Sequence, residues 1–177
     1  MKKTLVFVVL FIVFILIYFF QMNFFSWFTI AGVKPNLFII LILVMGLFTG
    51  RTIGIATGII AGLLLDFFIG KSVGITAIML GIVGFLGGYL DKKFSKDSRI
   101  TMILMVILTT FIYEFGQYGI NIIMNKMPLE LWAFSKTLFV EIIYNIILTI
   151  IFHPLIKKAG YYMENIFKTK NILTRYF

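Results

Sequence analysis

Residues 46–74 read GLFTGRTIGIATGIIAGLLLDFFIGKSVG, with glycine at 46, 50, 54, 58, 62, 70 and 74. The step is four throughout, and the one missing position in the series, 66, is an aspartate. Glycines four apart share one face of a helix and let a second backbone approach closely. As a single helix this stretch would run roughly 43 Å at 1.5 Å per residue, longer than the ~30 Å hydrocarbon core of a bilayer. The series must therefore fold back on itself, and Arg51 and Lys71 mark the turns.

The composition sets the solvent in which this folding happens. The 177 residues are 61% hydrophobic and only 13% charged, against about 25% charged in a soluble domain. Mean hydropathy is +1.06. That is more apolar side chain than one small aqueous core can bury, so the chain reads as an all-α polytopic membrane protein. The absence of cysteine excludes disulfides and thiolate metal sites. The net charge of +9 belongs to the flanks of membrane spans rather than to nucleic-acid binding, since no basic helix of a nucleic-acid fold accompanies it.

The start, MKKTLVFVVLFIVFILIYFF, imitates a signal peptide. Its apolar run from Leu5 to Phe20 is too long for one and is followed by bulky Phe24 and Phe25 instead of a cleavage site, so it reads as an uncleaved first span. Five further apolar stretches, roughly 37–50, 52–70, 73–90, 100–124 and 135–156, complete a predicted six-helix bundle. Alternating sides then sort the basic residues. One side receives twelve: Lys2, Lys3, Arg51, Lys92, Lys93, Lys96, Arg99, Lys157, Lys158, Lys168, Lys170 and Arg175. The other receives four: Lys34, Lys71, Lys126 and Lys136. The bias predicts that both termini are cytoplasmic, which requires an even number of spans.

Residues 1–156 are thus read as the transmembrane domain and 157–177 as a cytoplasmic, basic, amphipathic tail. In that tail Ala159, Tyr162, Met163, Ile166 and Leu173 share a helical face suited to the membrane interface. The two predicted outer connections carry Phe24, Phe25, Trp27 and Phe28, and Trp132 and Phe134, which suits short interfacial or re-entrant helices in an aromatic belt.

Gly54, Gly58 and Gly62 on the third span, and Gly81, Gly84 and Gly88 on the fourth, predict a tightly packed helix pair. Asp66 continues the first strip and must point into the bundle. It either caps the following turn, with Lys71 or Ser72 as side-chain partners, or serves a proton, a ligand or a partner. Glu114, Gln117 and Asn121 recur at helical steps on the fifth span, and Glu141 and Asn145 on the sixth. Two such faces suit interhelical hydrogen bonds, a small cavity or a partner contact. Paired glutamates can act as acid and base, but no nucleophile, metal-binding motif or phosphate loop accompanies them. No cofactor is expected and the chain reads as a non-enzyme. His153, beside Pro154, is read as an interfacial histidine at a helix end.

Residues 34–90, KPNLFIILILVMGLFTGRTIGIATGIIAGLLLDFFIGKSVGITAIMLGIVGFLGGYL, resemble the core of the rod shape-determining protein MreD family. The likeness rests on Pro35 and Asn36 opening the second span, and on Gly58, Gly62, Leu63, Asp66 and Gly70 in and after the third. Gly74, Gly84, Gly88 and Tyr89 carry it into the fourth, and Asn145 and Pro154 extend it to the sixth. The family usually has Asp or Arg after the proline, so Asn36 departs from its pattern. The resemblance implies a membrane scaffold of the cell-elongation machinery that supports peptidoglycan synthesis. Its implied partners are MreC, the elongation glycosyltransferase and transpeptidase, and indirectly MreB filaments. It also implies a fold similar to the substrate-binding subunit of energy-coupling-factor transporters, which gives the alternative of a vitamin-binding subunit. Those subunits dock through an Ala-rich strip on the first span, and TLVFVVLFIVFILIYFF has none.

Overall fold

A computed structural model describes residues 2–69, 74–91, 93–94, 96–125 and 128–168. Seven α-helices form among them: α1 (Lys2–Phe19), α2 (Phe25–Trp27), α3 (Leu37–Thr49), α4 (Arg51–Ile69), α5 (Ile75–Leu90), α6 (Arg99–Asn125) and α7 (Leu131–Phe167). A π-helical turn, Phe20–Phe24, joins α1 to α2, so the first apolar helix runs on to Trp27. The connection that follows makes a tight reversal in which Ile30 and Val33 exchange both backbone hydrogen bonds, at 3.1 and 2.9 Å. Ala31 and Gly32 take φ of 51° and 80°, the left-handed pair such a two-residue turn requires.

Among the described residues, four helices are long and apolar enough to cross a membrane: Val6–Trp27, Arg51–Ile69, Arg99–Met124 and Leu131–Phe167. The two shorter apolar helices are α3, with 13 residues, and α5, with 16. At 1.5 Å per residue they reach only about 20 and 24 Å. α3 can be short because it is enclosed. Eleven of the 13 residues of α3 are buried, including Phe38, Leu43 and Phe48. α1 lies at the other extreme: Val6 and Phe14 are buried, while Phe7, Phe11, Ile12 and Phe19 are about half exposed.

Gly50 separates α3 from α4 with φ +96°, a conformation open to glycine and costly for any residue with a Cβ. The four-residue glycine rhythm therefore continues across a helix break: Gly46 lies on α3, Gly50 forms the turn, and Gly54, Gly58 and Gly62 lie on α4.

α7 runs for 37 residues with Pro154 inside it, and the position 156/157 falls within the continuous helix. Met163 and Gly160 are buried, Ile166 is half-buried, and Ala159 and Tyr162 are exposed. Leu173, Lys170 and Arg175 lie outside the described residues. A Cβ at Gly160 would strike the Phe48 ring, 2.6 Å from its Cζ, so the missing side chain seats the end of α7 on the end of α3. His153 lies inside α7 rather than at a helix end and is buried, with no hydrogen-bond partner for Nε2.

Candidate functional site

The chain direction alternates, which gives the bundle two distinct ends. Gly50, Asp91, Arg99 and the end of α7 gather at one, with Arg51, Lys93, Lys96, Lys157 and Lys168; we refer to it as the basic end. Asn36, the α4–α5 connection and the start of α7 lie toward the opposite end.

Glycine contacts set the distance between α4 and α5. A Cβ on Gly54 would lie 2.6 Å from the Gly84 carbonyl oxygen and 2.7 Å from the Cα of Gly46. One on Gly58 would overlap the Leu80 carbonyl, one on Gly62 the Ala77 backbone, one on Gly84 the Gly54 carbonyl, and one on Gly88 the Arg51 backbone. Gly81 stands apart: its Cβ would meet only the Ile59 side chain, at 3.0 Å. Gly46 and Gly87 bring α3 equally close to α5, a Cβ on Gly87 falling 2.5 Å from the Leu43 carbonyl oxygen.

Asp66 sits at the end of this face, 3% exposed. Its Oδ2 accepts from Gly74 N at 2.7 Å and is approached by Ala77 N at 3.4 Å. Both amides belong to the start of α5, where the first N–H groups have no intrahelical acceptor. A side-chain oxygen from the preceding helix thereby does the work of a cap. Gly74 takes φ +101° to enter the helix. Lys71 and Ser72 lie outside the described residues.

A second polar group ties α3, α5, α6 and α7 together. Asn145 is fully buried; its Oδ1 accepts from Asn36 N at 2.9 Å and its Nδ2 donates to Thr110 Oγ1 at 3.1 Å. Gln117 Nε2 reaches Tyr113 OH at 3.1 Å and Thr76 Oγ1 at 3.3 Å, which joins α6 to α5. Asn121 donates back to the Gln117 carbonyl of its own helix at 2.8 Å. The Glu114 and Glu141 carboxyl groups are neighbours across α6 and α7, and the Asn36 side chain lies beside Glu141. Glu141 Oε1 is buried and has no partner. Asn36, Thr76, Thr110 and Tyr113 complete the network and were not among the candidates read from sequence. The signal for Thr110 was its place on the Glu114–Gln117–Asn121 face, at steps of four, three and four.

At the basic end the acids are paired. Asp91 meets Lys168 Nζ at 2.6 Å and Lys96 Nζ at 2.9 Å, and Lys96 also meets Glu164 at 2.6 Å. Burial works to raise the Asp91 carboxyl, but the two ammonium groups outweigh it and hold it below the usual carboxylate range. Burial likewise works to lower Lys96, and hydrogen bonds to Glu164 and Asp91 hold it above its ordinary value. Lys168 also donates to the Leu47 carbonyl at 3.2 Å, which fastens the end of α7 to α3.

A profile of the rod shape-determining protein MreD family matches residues 1–161. No curated protein and no solved structure matches the chain. The match covers nearly all of the chain and extends well into α7. This chain belongs to the MreD family and, with four helices able to cross a bilayer, is a multi-pass membrane protein with a role in rod-shape determination.

Proposed function

We propose that this MreD-family chain is a non-enzymatic scaffold of the cell-elongation machinery, which binds MreC in the cell membrane and through it supports the peptidoglycan glycosyltransferase and transpeptidase. The family match over residues 1–161 carries this reading. The chemistry of the bundle supports it. Glycine contacts, an aspartate cap and amide–hydroxyl bonds are devices for holding helices in fixed positions, as a scaffold requires. Two cavities, of about 650 Å³ beside α1 and about 380 Å³ between α4 and α5, are lined by apolar side chains, which favours the scaffold over a binding subunit for a polar vitamin.

The topology belongs to the same proposal. Six spans place both termini in the cytoplasm, with α3 as a short span shielded by its neighbours and α5 as a second short span. The twelve-to-four division of basic residues supports it, as does the regular alternation of helix direction from α3 to α7. A reporter fused after Phe177 that is active only outside the membrane would overturn this arrangement.

The functional test is capture of the tagged full-length chain from detergent-solubilised membranes, followed by mass spectrometry, together with depletion in a rod-shaped host. Recovery of MreC and cell rounding on depletion are the expected results. Recovery of transporter ATPase subunits with normal cell shape would replace the scaffold by the small-molecule-binding reading.

A further inference from the structure

The glycine contacts that draw α4 and α5 together leave a groove where branched side chains rise on either side of the seam. Ile55 and Ile59 on α4, and Ile78, Ile82 and Phe85 on α5, line its apolar walls. At the basic end the groove stops at Phe85, whose ring stacks on Tyr89 with centroids 6.2 Å apart. Two cations converge on that tyrosine: the Arg51 guanidinium 4.9 Å from the ring centre and the Lys93 ammonium 4.7 Å from it. Arg51 also lies 5.6 Å from the Phe85 ring.

The electrostatics of this corner differ from those of its surroundings. Lys96, Lys157 and Lys168 each have a carboxylate within 3.3 Å. Among the described residues, neither Arg51 nor Lys93 has one, and Arg51 Nε is buried without an acceptor. A ring face attracts a cation but does not neutralise it. The N-terminus of α4 adds to the positive potential, because its first intrahelical bond is Gly54 N to Gly50 O, leaving the amides of residues 51–53 outside the helical ladder. An anion is the missing partner, and a guanidinium beside an ammonium and a phenol suits a phosphate.

We propose that this corner and its groove form one site for an anionic phospholipid. The phosphate lies between Arg51 and Lys93 beside the Tyr89 hydroxyl, and an acyl chain lies in the groove along Ile55, Ile59 and Ile82. The dimensions favour this occupant. From Ala77 to Phe85 the groove follows α5 for eight residue steps, roughly 12 Å of helix, close to half of a ~30 Å hydrocarbon core. Its volume of about 380 Å³ takes roughly a dozen carbon-sized groups at ~30 Å³ each, enough for most of one chain. A transmembrane helix about 10 Å or more across would not enter it. The site does not depend on the scaffold reading; only its assignment to the cytoplasmic leaflet, where anionic lipids attract basic residues, rests on the proposed topology.

The test is native mass spectrometry of the full-length chain released from vesicles of mixed phosphatidylglycerol and phosphatidylcholine. The chain should retain phosphatidylglycerol in preference to phosphatidylcholine. The Arg51→Gln, Lys93→Gln double variant should lose that preference by roughly 30-fold, at about fivefold for each basic group. Lys157→Gln, which lies in another cluster, should leave it unchanged. Ile82→Trp should lower retention of both lipids at this site by filling the groove with the charges intact. Thermal melting in detergent checks that each variant folds. If Arg51→Gln unfolds, Lys93→Gln and Ile82→Trp carry the test without it. Equal retention of the two lipids, or an unaltered preference in Lys93→Gln together with unaltered retention in Ile82→Trp, would overturn the proposal. So would displacement of the lipid by millimolar inorganic phosphate, which would make this a site for a soluble anion.

Discussion

The α3–α4–α5 wedge and the α6–α7 pair are both built within the same apolar bundle, yet they are held by different means. In the wedge, backbone meets backbone, because glycine removes the side chains that would separate the helices. In the pair, polar side chains do the joining: Asn145 on α7 bonds Thr110 on α6 and the Asn36 amide ahead of α3, and Gln117 on α6 reaches Thr76 on α5. In lipid there is no hydrophobic gain in moving a leucine from acyl chain to protein, so contact distance and hydrogen bonds must hold the bundle together. The wedge relies on the first and the pair on the second. The wedge should therefore be intolerant of volume, and the pair intolerant of lost polarity.

The largest effect should come from volume in the wedge. Gly62→Leu and Gly84→Leu place a side chain against the backbones of Ala77 and Gly54 and should destabilise by about 3 kcal/mol or more, at or beyond the upper end for overpacking. Detergent-extracted folded yield and melting temperature should both fall sharply. Wild-type values for the two variants would mean that α4 and α5 do not meet through these glycines.

Asp66 should come next, since among the described residues it is the wedge's polar fastening to the start of α5. Asp66→Leu strands the Gly74 and Ala77 amides at about 1–3 kcal/mol, whereas Asp66→Asn keeps an acceptor and should cost clearly less. Thermal melts of the two variants, read with cell shape and MreC recovery, separate structure from chemistry. A stable Asn variant that loses function would show that the cap is not the residue's only task.

In the pair, Asn145→Leu removes two bonds between helices, each averaging about 0.6 kcal/mol in membrane proteins, and should cost about 1–2 kcal/mol in all. Asn145→Leu should hurt more than the same-volume change at exposed Ile147. Equal melting temperatures for the two would remove the polar half of the comparison.

A smaller effect is expected from acid at the basic end. The Asp91 carboxyl is held below its ordinary value, so its ion pairs contribute fully above about pH 3.9, the unfolded value. That contribution is lost as pH falls through the lower folded value. For a partly exposed cluster it should amount to about 0.5–1 kcal/mol. Melting temperature should drop below pH 4 more steeply in the wild type than in Asp91→Asn, and parallel curves would count against the cluster. The smallest change should be Gly81→Ala, within about 0.5 kcal/mol, because the new methyl meets a movable Ile59 side chain. A loss as large as that of Gly84→Leu would show that every glycine on α5 faces backbone.

Much of this was legible in the chain because helix faces are local. The four-residue rhythm put Gly54, Gly58, Gly62 and Asp66 on one side of a helix before any partner was known. The same periodicity could not show that Gly50 is a turn rather than a further member of the strip, since the spacing is identical on both sides of the break. Nor could it rank Gly81 against Gly84, three residues apart on one helix, as their difference lies in what stands opposite. The division at 156/157 followed a change in composition, yet α7 continues through it, because Gly160 against Phe48 and Lys168 on the Leu47 carbonyl give its polar half something to pack on.

By itself, then, the sequence determined the solvent, the helical class, the faces of the helices and, through residues 34–90, the family, because each depends on composition or on spacing within a few turns. Tertiary structure decided which faces meet. The bond from Asn36 N to Asn145 Oδ1 joins residues 109 apart, and Asp66 finds its acceptor role only when the start of α5 is brought back against α4. The four neighbours that give Arg51 its setting, Gly88, Phe85, Tyr89 and Gly50, include three from another helix. A buried polar group is tolerated only where its partner already stands, and in a bundle that partner is supplied by a helix distant in sequence.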